Sequence, residues 1–292
     1  MTKSQEDKNK ELLANNLSLI EIETFSFCNR VCWFCTNTIV DRKSVEHYMP
    51  EGVYSRLLDQ LAEINFKGEL TFSRYNEPLA RKDYILKKIS EAREKLPNAI
   101  LRTNTNGDYL TSSYIEELAD AGLDQLWIQQ YLRNDERYEH SEVRRRADKT
   151  LERIGFVDNH KVLTDIDGCK LEYELPHPKM TIHLRARNFG MDGSSRGGIL
   201  DLASGYQRTE PCKQVHENMY IDWNGTVMVC CEMRSEIKEH GSGVMGSVLH
   251  SKLWDIFTSK NYNSWRKHHE GVSPKTGACK ECKQGLKPNY EE

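Results

Sequence analysis

Eight of the nine cysteines fall into two groups along the chain, with Cys169 alone between them, and their spacing is the feature most able to do chemistry. Cys28, Cys32 and Cys35 form a C-x3-C-x2-C run, while Cys212, Cys230 and the C-x2-C pair Cys279 and Cys282 lie in the last third. In a reducing compartment, clustered thiols point to metal or catalysis rather than disulfides. Three thiolates on one loop can each ligate one iron of a cubane [4Fe–4S] cluster, leaving the fourth iron open for reaction. A zinc site on the same loop needs a fourth ligand, for which His47 is available. An electron-transfer site needs a fourth cysteine at ferredoxin spacing, which is absent. The four later cysteines suit either a fully ligated cubane or a structural zinc. Cys231 shares a strand face with Val227 and Val229, and reads either as a small buried hydrophobe or as a hydrogen-atom donor. Cys169 follows Asp167-Gly168 and reads as an incidental thiol in a hairpin turn.

The elements that position these loops alternate between strand and helix periods. Leu17 to Phe25 reads as a strand leading into the first cysteine loop. Pro50 opens a helix with Val53, Leu57, Leu58, Leu61 and Ile64 on one face. Glu69 to Ser73 is a strand, Lys82 to Leu96 a helix closed by Pro97, and Ala99 to Asn104 a strand ending in a Thr-Asn-Gly turn. Thr111 caps a helix stopped by Gly122, Leu123 to Leu132 is a strand, Asn134 to Ile154 a charged helix, and Met180 to Arg187 a further strand. Such alternation predicts βαβ units and a parallel sheet. Five or six units before residue 190 are too few for a closed barrel, so the expected fold is α/β, a partial (β/α)6 TIM-like barrel with a small C-terminal α+β iron–sulfur module. Chemistry in such barrels sits at the C-terminal ends of the strands, where the first cysteine loop lies. Asn224-Gly225, flanked by two apolar runs, predicts a hairpin with a type I′ turn.

Taken with that placement, the C-x3-C-x2-C run with Phe34 before its last cysteine resembles the radical S-adenosylmethionine (radical SAM) superfamily. The resemblance implies that the open iron binds SAM and that one-electron cleavage yields a 5′-deoxyadenosyl radical, with a reducing partner such as flavodoxin or ferredoxin. The family's Gly-Gly-Glu-like stretch after the second strand reads Tyr75-Asn76-Glu77 here, so Glu77 matches and the glycines do not. By the same resemblance Phe34, Asn76, Glu77, Asn104, Asn106, Gln129 and Arg185 are candidate SAM contacts. The C-x17-C…C-x2-C arrangement and the Gly-x4-Cys element from Gly225 to Cys230 look like the Twitch module, the shorter relative of the SPASM extension. That implies a second [4Fe–4S] cluster on Cys212, Cys230, Cys279 and Cys282. Arg196 and Cys231 are the candidate catalytic residues, the former for binding or deprotonating substrate and the latter for donating hydrogen.

Bulk properties narrow the partners. Charged residues are 29% of the chain with a formal net charge of −3, unlike a nucleic-acid binder with a basic stripe. No apolar run approaches the length that spans a bilayer, and the polar N-terminus resembles no targeting segment, so a cytoplasmic enzyme is expected. The expected organisation is a flexible arm over 1–16, the barrel over 17–198 and the iron–sulfur module over 199–292, with the five-glycine stretch 188–211 as linker. Twitch and SPASM relatives dehydrogenate alcohols or aminocyclitols, epimerise carbon centres or modify peptides. Only 27 residues precede Cys28, short of a precursor-peptide domain. The reading is hydrogen abstraction from a small polar metabolite, most readily for dehydrogenation. The alternatives are an epimerase using Cys231, a peptide-modifying enzyme, and a non-catalytic iron–sulfur electron carrier.

Overall fold

The computed structural model describes residues 3–133 and 136–286. The chain opens with α1 (Gln5–Asn16) and β1 (Leu19–Ile22). Helices and strands then alternate through α2 (Glu51–Glu63), β2 (Glu69–Thr71), α3 (Lys82–Lys95), β3 (Ile100–Thr105), α4 (Ser112–Asp120), β4 (Gln125–Gln129) and α5 (His140–Ile154). An antiparallel hairpin, β5 (Lys161–Ile166) and β6 (Lys170–Leu175), precedes β7 (Thr181–Arg187) and the short α6 (Phe189–Asp192). The remainder contains α7 (Gln214–Glu217), β8 (Asn218–Ile221), β9 (Thr226–Met228), β10 (Val244–Ser247), α8 (Leu253–Phe257) and α9 (Lys260–His269).

Among the described residues all ten strands join one sheet, in the order β10-β9-β8-β1-β2-β3-β4-β7-β6-β5. Neighbours from β8 to β7 run parallel, giving the open partial barrel expected from the alternation. Five of these six parallel strands precede residue 190. The sixth, β8, comes from the second part of the chain and pairs with β1 from Leu19↔Asn218 to Ile22↔Ile221. Without β8, β1 would be a parallel edge strand with unpaired backbone groups. The stretch 188–211 therefore leads back into the same sheet. Strand alternation sorts the two faces. Leu126 and Ile128 of β4 and Ile182, Leu184 and Ala186 of β7 are buried in one hydrophobic core with Leu57 and Leu61 of α2. The intervening Gln129, Arg185 and Arg187 face a polar concavity.

Three sequence expectations change. The supposed loose arm over 1–16 is α1 from Gln5, with Ser4 and Asp7 closing a reciprocal capping box; Met1 and Thr2 lie outside the described residues. Only Leu13 of α1 is fully buried, so the helix shows almost no apolar periodicity; Lys10 over the Trp254 ring at 4.7 Å adds to its docking on α8. The charged helix expected from Asn134 starts at His140, because the Glu139 carboxylate accepts from the N–H groups of Ser141 and Glu142; Asn134 and Asp135 lie outside the described residues. The Asn224-Gly225 hairpin is not type I′, which needs positive φ at both residues. Only Gly225 has it, at φ 80°, and Asn224 instead accepts from Thr226 N–H at 3.0 Å. Gly225 N–H donates to Asp222 C=O at 2.8 Å and Asp222 N–H to Thr226 C=O at 3.0 Å, a three-residue loop closed by a glycine bulge.

Candidate active site and iron–sulfur sites

The cysteine loop leaves the C-terminal end of β1 and is held by side chains from the ends of neighbouring strands. Arg30 Nε and Asn29 Nδ2 each donate to Asp108 at 2.7 Å, and Asn106 Nδ2 donates to Asn29 Oδ1 at 2.8 Å. Asn37 Nδ2 donates to the Tyr75 carbonyl at 2.9 Å, tying the far end of the loop to the stretch after β2. Within the loop, Cys35 N–H donates to the Cys32 carbonyl at 2.9 Å. Cys28, Cys32 and Cys35 thereby line one cavity of about 300 Å3. In the iron-free chain burial pushes the Cys28 and Cys32 thiols up to about 12, and the charge of Cys35 adds to both. Iron must therefore displace protons to be bound, as thiolate ligation requires. His47, the alternative fourth ligand for zinc, stacks on Trp223 with ring centroids 4.2 Å apart and does not line this cavity.

Every candidate SAM contact named from the sequence lines the same cavity: Phe34, Asn76, Glu77, Asn104, Asn106, Gln129 and Arg185. Their partners differ. Glu77 accepts from Asn106 N–H at 2.7 Å, Thr105 Oγ1 at 2.6 Å and Leu79 N–H at 3.1 Å, and burial pushes its carboxyl up to about 7. Asn104 Nδ2 donates to Ser73 Oγ at 2.7 Å. Phe34 stacks on Phe189 at 3.8 Å. Arg185 donates to Gln129 Oε1 at 3.0 Å and lies over the Trp127 ring, and burial and the nearby Arg187 lower its pKa to about 10. Asn76 Nδ2 and Gln129 Nε2 are buried donors without a partner among the described residues, so the cavity wall holds groups suited to a ligand rich in acceptors, such as the carboxylate, ribose and adenine of SAM.

Arg196 and Cys231 reach this cavity too. Arg196 adopts φ 51°, a strained backbone held by its Nε donating to the Phe34 carbonyl at 3.0 Å and by an ion pair with Glu232 at 3.0 Å. Burial would lower the Arg196 pKa, but the charges of Glu232 and Cys35 outweigh it and keep the guanidinium protonated. Sequence reasoning missed Glu232. It is buried, its Oε2 has no partner among the described residues, and it lines the cavity beside Cys231. Its position directly after Cys230-Cys231 was the available signal. Cys169 is elsewhere, with its sulfur 3.6 Å from that of Met191 in the expected β5–β6 turn.

The second group of thiols gathers from three segments. Cys212 precedes α7, Cys230 follows β9, and Cys279 and Cys282 lie beyond α9. Cys230 and Cys279 both sit in the fields of Cys212 and Cys282, and burial pushes Cys279 up to about 12 and Cys282 to about 11. The sulfurs attract donors: Glu232 N–H lies 3.4 Å from Cys230 Sγ, and Gln284 N–H and Ser194 Oγ lie 3.4 and 3.6 Å from Cys282 Sγ. His269 Nδ1–H donates to the Trp265 carbonyl at 2.7 Å, leaving Nε2 at 3.3 Å from Cys279 Sγ. Among the described residues no three His, Cys, Asp or Glu side chains converge on a point that would hold a single metal ion. Four cysteines of this kind, drawn to one place by three loops and fed by hydrogen-bond donors, could hold an iron–sulfur cluster.

Comparison with known proteins agrees with this geometry. A radical SAM superfamily model matches residues 22–156, and a model described as an iron–sulfur cluster-binding domain, SPASM, matches residues 212–283. The S-adenosyl-L-methionine-dependent 2-deoxy-scyllo-inosamine dehydrogenase of Niallia circulans is 27% identical over 267 residues, covering 91% of this chain and 92% of that protein. Among solved structures, BtrN in complex with AdoMet and 2-DOIA superposes with a TM-score of 0.62 at 24% identity, covering 87% of this chain and 88% of that one. The anSMEcpe structure with bound AdoMet gives a TM-score of 0.52 at 15% identity, covering 88% and 81%. These two likenesses establish the shared fold. No helix among the described residues is long and apolar enough to cross a membrane. With a family model over each cysteine group and the matching fold beneath them, the chain is an enzyme that carries a radical SAM domain over residues 22–156 and a SPASM-type iron–sulfur cluster-binding domain over residues 212–283.

Proposed function

We propose that this enzyme dehydrogenates a hydroxyl-bearing carbon of a small polar metabolite, with a [4Fe–4S] cluster on Cys28, Cys32 and Cys35 and a second on Cys212, Cys230, Cys279 and Cys282. When bound, the first cluster and SAM supply a radical that takes a hydrogen atom from a C–H bond, and the second cluster supplies an electron acceptor. The chain's own residues do the rest. Asn76, Gln129 and Arg185 offer donors to the SAM carboxylate and polar edges, and Phe34 offers an apolar face. Glu232 accepts the proton of the substrate hydroxyl through its free Oε2, while Arg196 orients that carboxylate and stays charged. Loss of one hydrogen atom, one proton and one electron converts the alcohol carbon to a carbonyl.

The observation that carries this reading is the place of Glu232. It puts a buried carboxylate, paired with Arg196 through Oε1 and with Oε2 free of partners among the described residues, in the cavity, two residues from Cys230 and with its own N–H 3.4 Å from that sulfur. With Cys230 as a cluster ligand, a proton acceptor and an electron acceptor would be adjacent, as removal of both from one carbon–oxygen unit demands. The 27% identical relative acts on 2-deoxy-scyllo-inosamine, so aminocyclitols are the first substrates to try, with reduced flavodoxin or ferredoxin as electron donor. In reconstituted enzyme, about eight irons per chain are expected for two cubanes. Glu232→Gln should still release 5′-deoxyadenosine while ketone formation falls by about 10²–10⁴-fold, the usual worth of a positioned base. Unchanged ketone formation would remove Glu232 from the reaction.

A second reading, epimerisation, is favoured by one observation: the Cys231 side chain also lines the cavity and could return a hydrogen atom. Assayed in deuterated water, an epimerase incorporates deuterium at the product carbon and Cys231→Ala stalls after abstraction. A dehydrogenase does neither.

A further inference from the structure

Among the described residues, the most deeply buried lysine and arginine side chains follow a pattern with two exceptions. Arg42 pairs with Glu23 at 3.1 Å, Arg74 with Asp222 at 2.9 Å, Lys88 with Glu51 at 2.5 Å and Arg234 with Glu236 at 2.5 Å. Each has a carboxylate, as a charge removed from water requires. Arg208 and Lys275 are as deeply buried, at 2% and 1% exposed, yet among the described residues neither has a carboxylate within ion-pair distance. Among the described residues Arg208 donates to the carbonyls of Glu210, Pro211, Cys282 and Gln284, at 3.2, 2.8, 3.2 and 2.7 Å, and to Cys282 Sγ at 3.7 Å. The Lys275 ammonium donates to the carbonyls of His268 and Gly271 and to Ser273 Oγ, at 3.1, 2.8 and 3.3 Å. Both lie against the second group of cysteines: Arg208 on the Cys212 and Cys282 segments, Lys275 four residues before Cys279 and bonded through its N–H to the Arg208 carbonyl at 2.8 Å.

Two buried cations beside four thiols, neither with an ion-pair partner among the described residues, suit a buried anion. A doubly positive cubane core held by four thiolates is a dianion, which matches two cations in sign and in charge. We propose that Arg208 and Lys275 are the counter-cations of the second cluster, replacing the missing carboxylates and setting the cluster's potential high enough to take up an electron. This rests on the reading of Cys212, Cys230, Cys279 and Cys282 as that cluster's ligands. Adding an electron deepens the negative charge, so neighbouring cations stabilise the reduced form more than the oxidised one. Arg208 and Lys275 are positioning residues in this sense: they touch ligand loops and act on the reaction through the cluster.

The test is an anaerobic redox titration of the full, reconstituted enzyme followed by electron paramagnetic resonance, with added SAM marking the signal of the first cluster. Arg208→Gln and Lys275→Gln should each keep about eight irons and shift the second cluster at least tenfold toward the oxidised form, about 59 mV more negative for one electron. Arg208→Lys and Lys275→Arg should hold the wild-type value. An unchanged potential in both glutamine variants overturns the proposal. If the neutral variants fail to load the second cluster, restored iron in Arg208→Lys supports a charge requirement. Iron lost equally in Arg208→Lys marks a hydrogen-bonding strut and also overturns it. Wild-type enzyme with about four irons and one zinc would instead sink the ligand reading itself, a result visible before any variant is made.

Discussion

Glu77 is held by three donors that favour its carboxylate form and by burial that opposes it, and burial wins to about 7. A carboxyl whose pKa rises on folding holds its proton more tightly in the folded chain. Between its ordinary 4.5 and about 7 the folded state is therefore penalised as pH rises. Other groups titrate in that window, so the comparison must be differential. In the iron-free chain, wild type should lose unfolding free energy relative to Glu77→Gln as pH goes from about 5 to about 7.5, read from urea titrations. A constant difference across that range would mean that Glu77 does not titrate there. Glu77 was legible because its motif is local, whereas its three donors belong to two different loops and leave no mark on the sequence. Glu232 shows the same limit in sharper form: nothing in its neighbours tells a reader that one oxygen is left free inside a cavity.

At the scale of elements, the hairpin that delivers Cys230 depends on one glycine. Gly225 takes φ 80°, and a Cβ there would sit 3.0 Å from Val53 Cγ1 on α2. Strain at a left-handed position costs about 1–3 kcal/mol, and the contact with α2 adds to it. Gly225→Ala should lower stability by at least that amount in chemical denaturation and reduce iron bound at the second site. A variant as stable and as iron-rich as wild type would show that the turn relaxes freely. The amphipathic helices were readable, since Val53, Leu57, Leu58 and Leu61 recur at helical spacing and are buried as expected. The first helix was not, because one buried leucine among polar residues gives no period; its capping box was the only trace.

Across the whole molecule, the second part of the chain clamps the loop of the first cluster. Arg42, at the end of that loop, contacts Glu23 of the barrel and Glu236 of the second part. Arg234 pairs with the same Glu236 and donates to Thr36 Oγ1 at 3.2 Å and Asn37 Oδ1 at 3.0 Å, while Tyr75 OH donates to the Cys231 carbonyl at 2.7 Å. Removing one partner of a buried ionic network costs about 3–5 kcal/mol. Arg234→Met should therefore destabilise the protein by that order. It should also weaken the SAM-sensitive resonance of the first cluster more than the signal of the second. An intact first signal with full iron would show that the cysteine loop holds itself.

The sequence by itself determined the likeness to radical SAM and SPASM domains and the partial barrel, and it proposed the cysteine ligand sets, because motif spacing and βαβ alternation are written in short separations that survive any packing. Tertiary structure decided what long separations decide. Parallel pairing of β8 with β1 joins residues about two hundred positions apart, and neither strand's own pattern names its neighbour. Among the described residues, burial of Arg208 and Lys275 without carboxylate partners, and of Glu232 with a free oxygen, is likewise a property of the folded interior. A charged residue reads as solvated until the fold removes its water, and only then does its missing partner become information about what the protein binds.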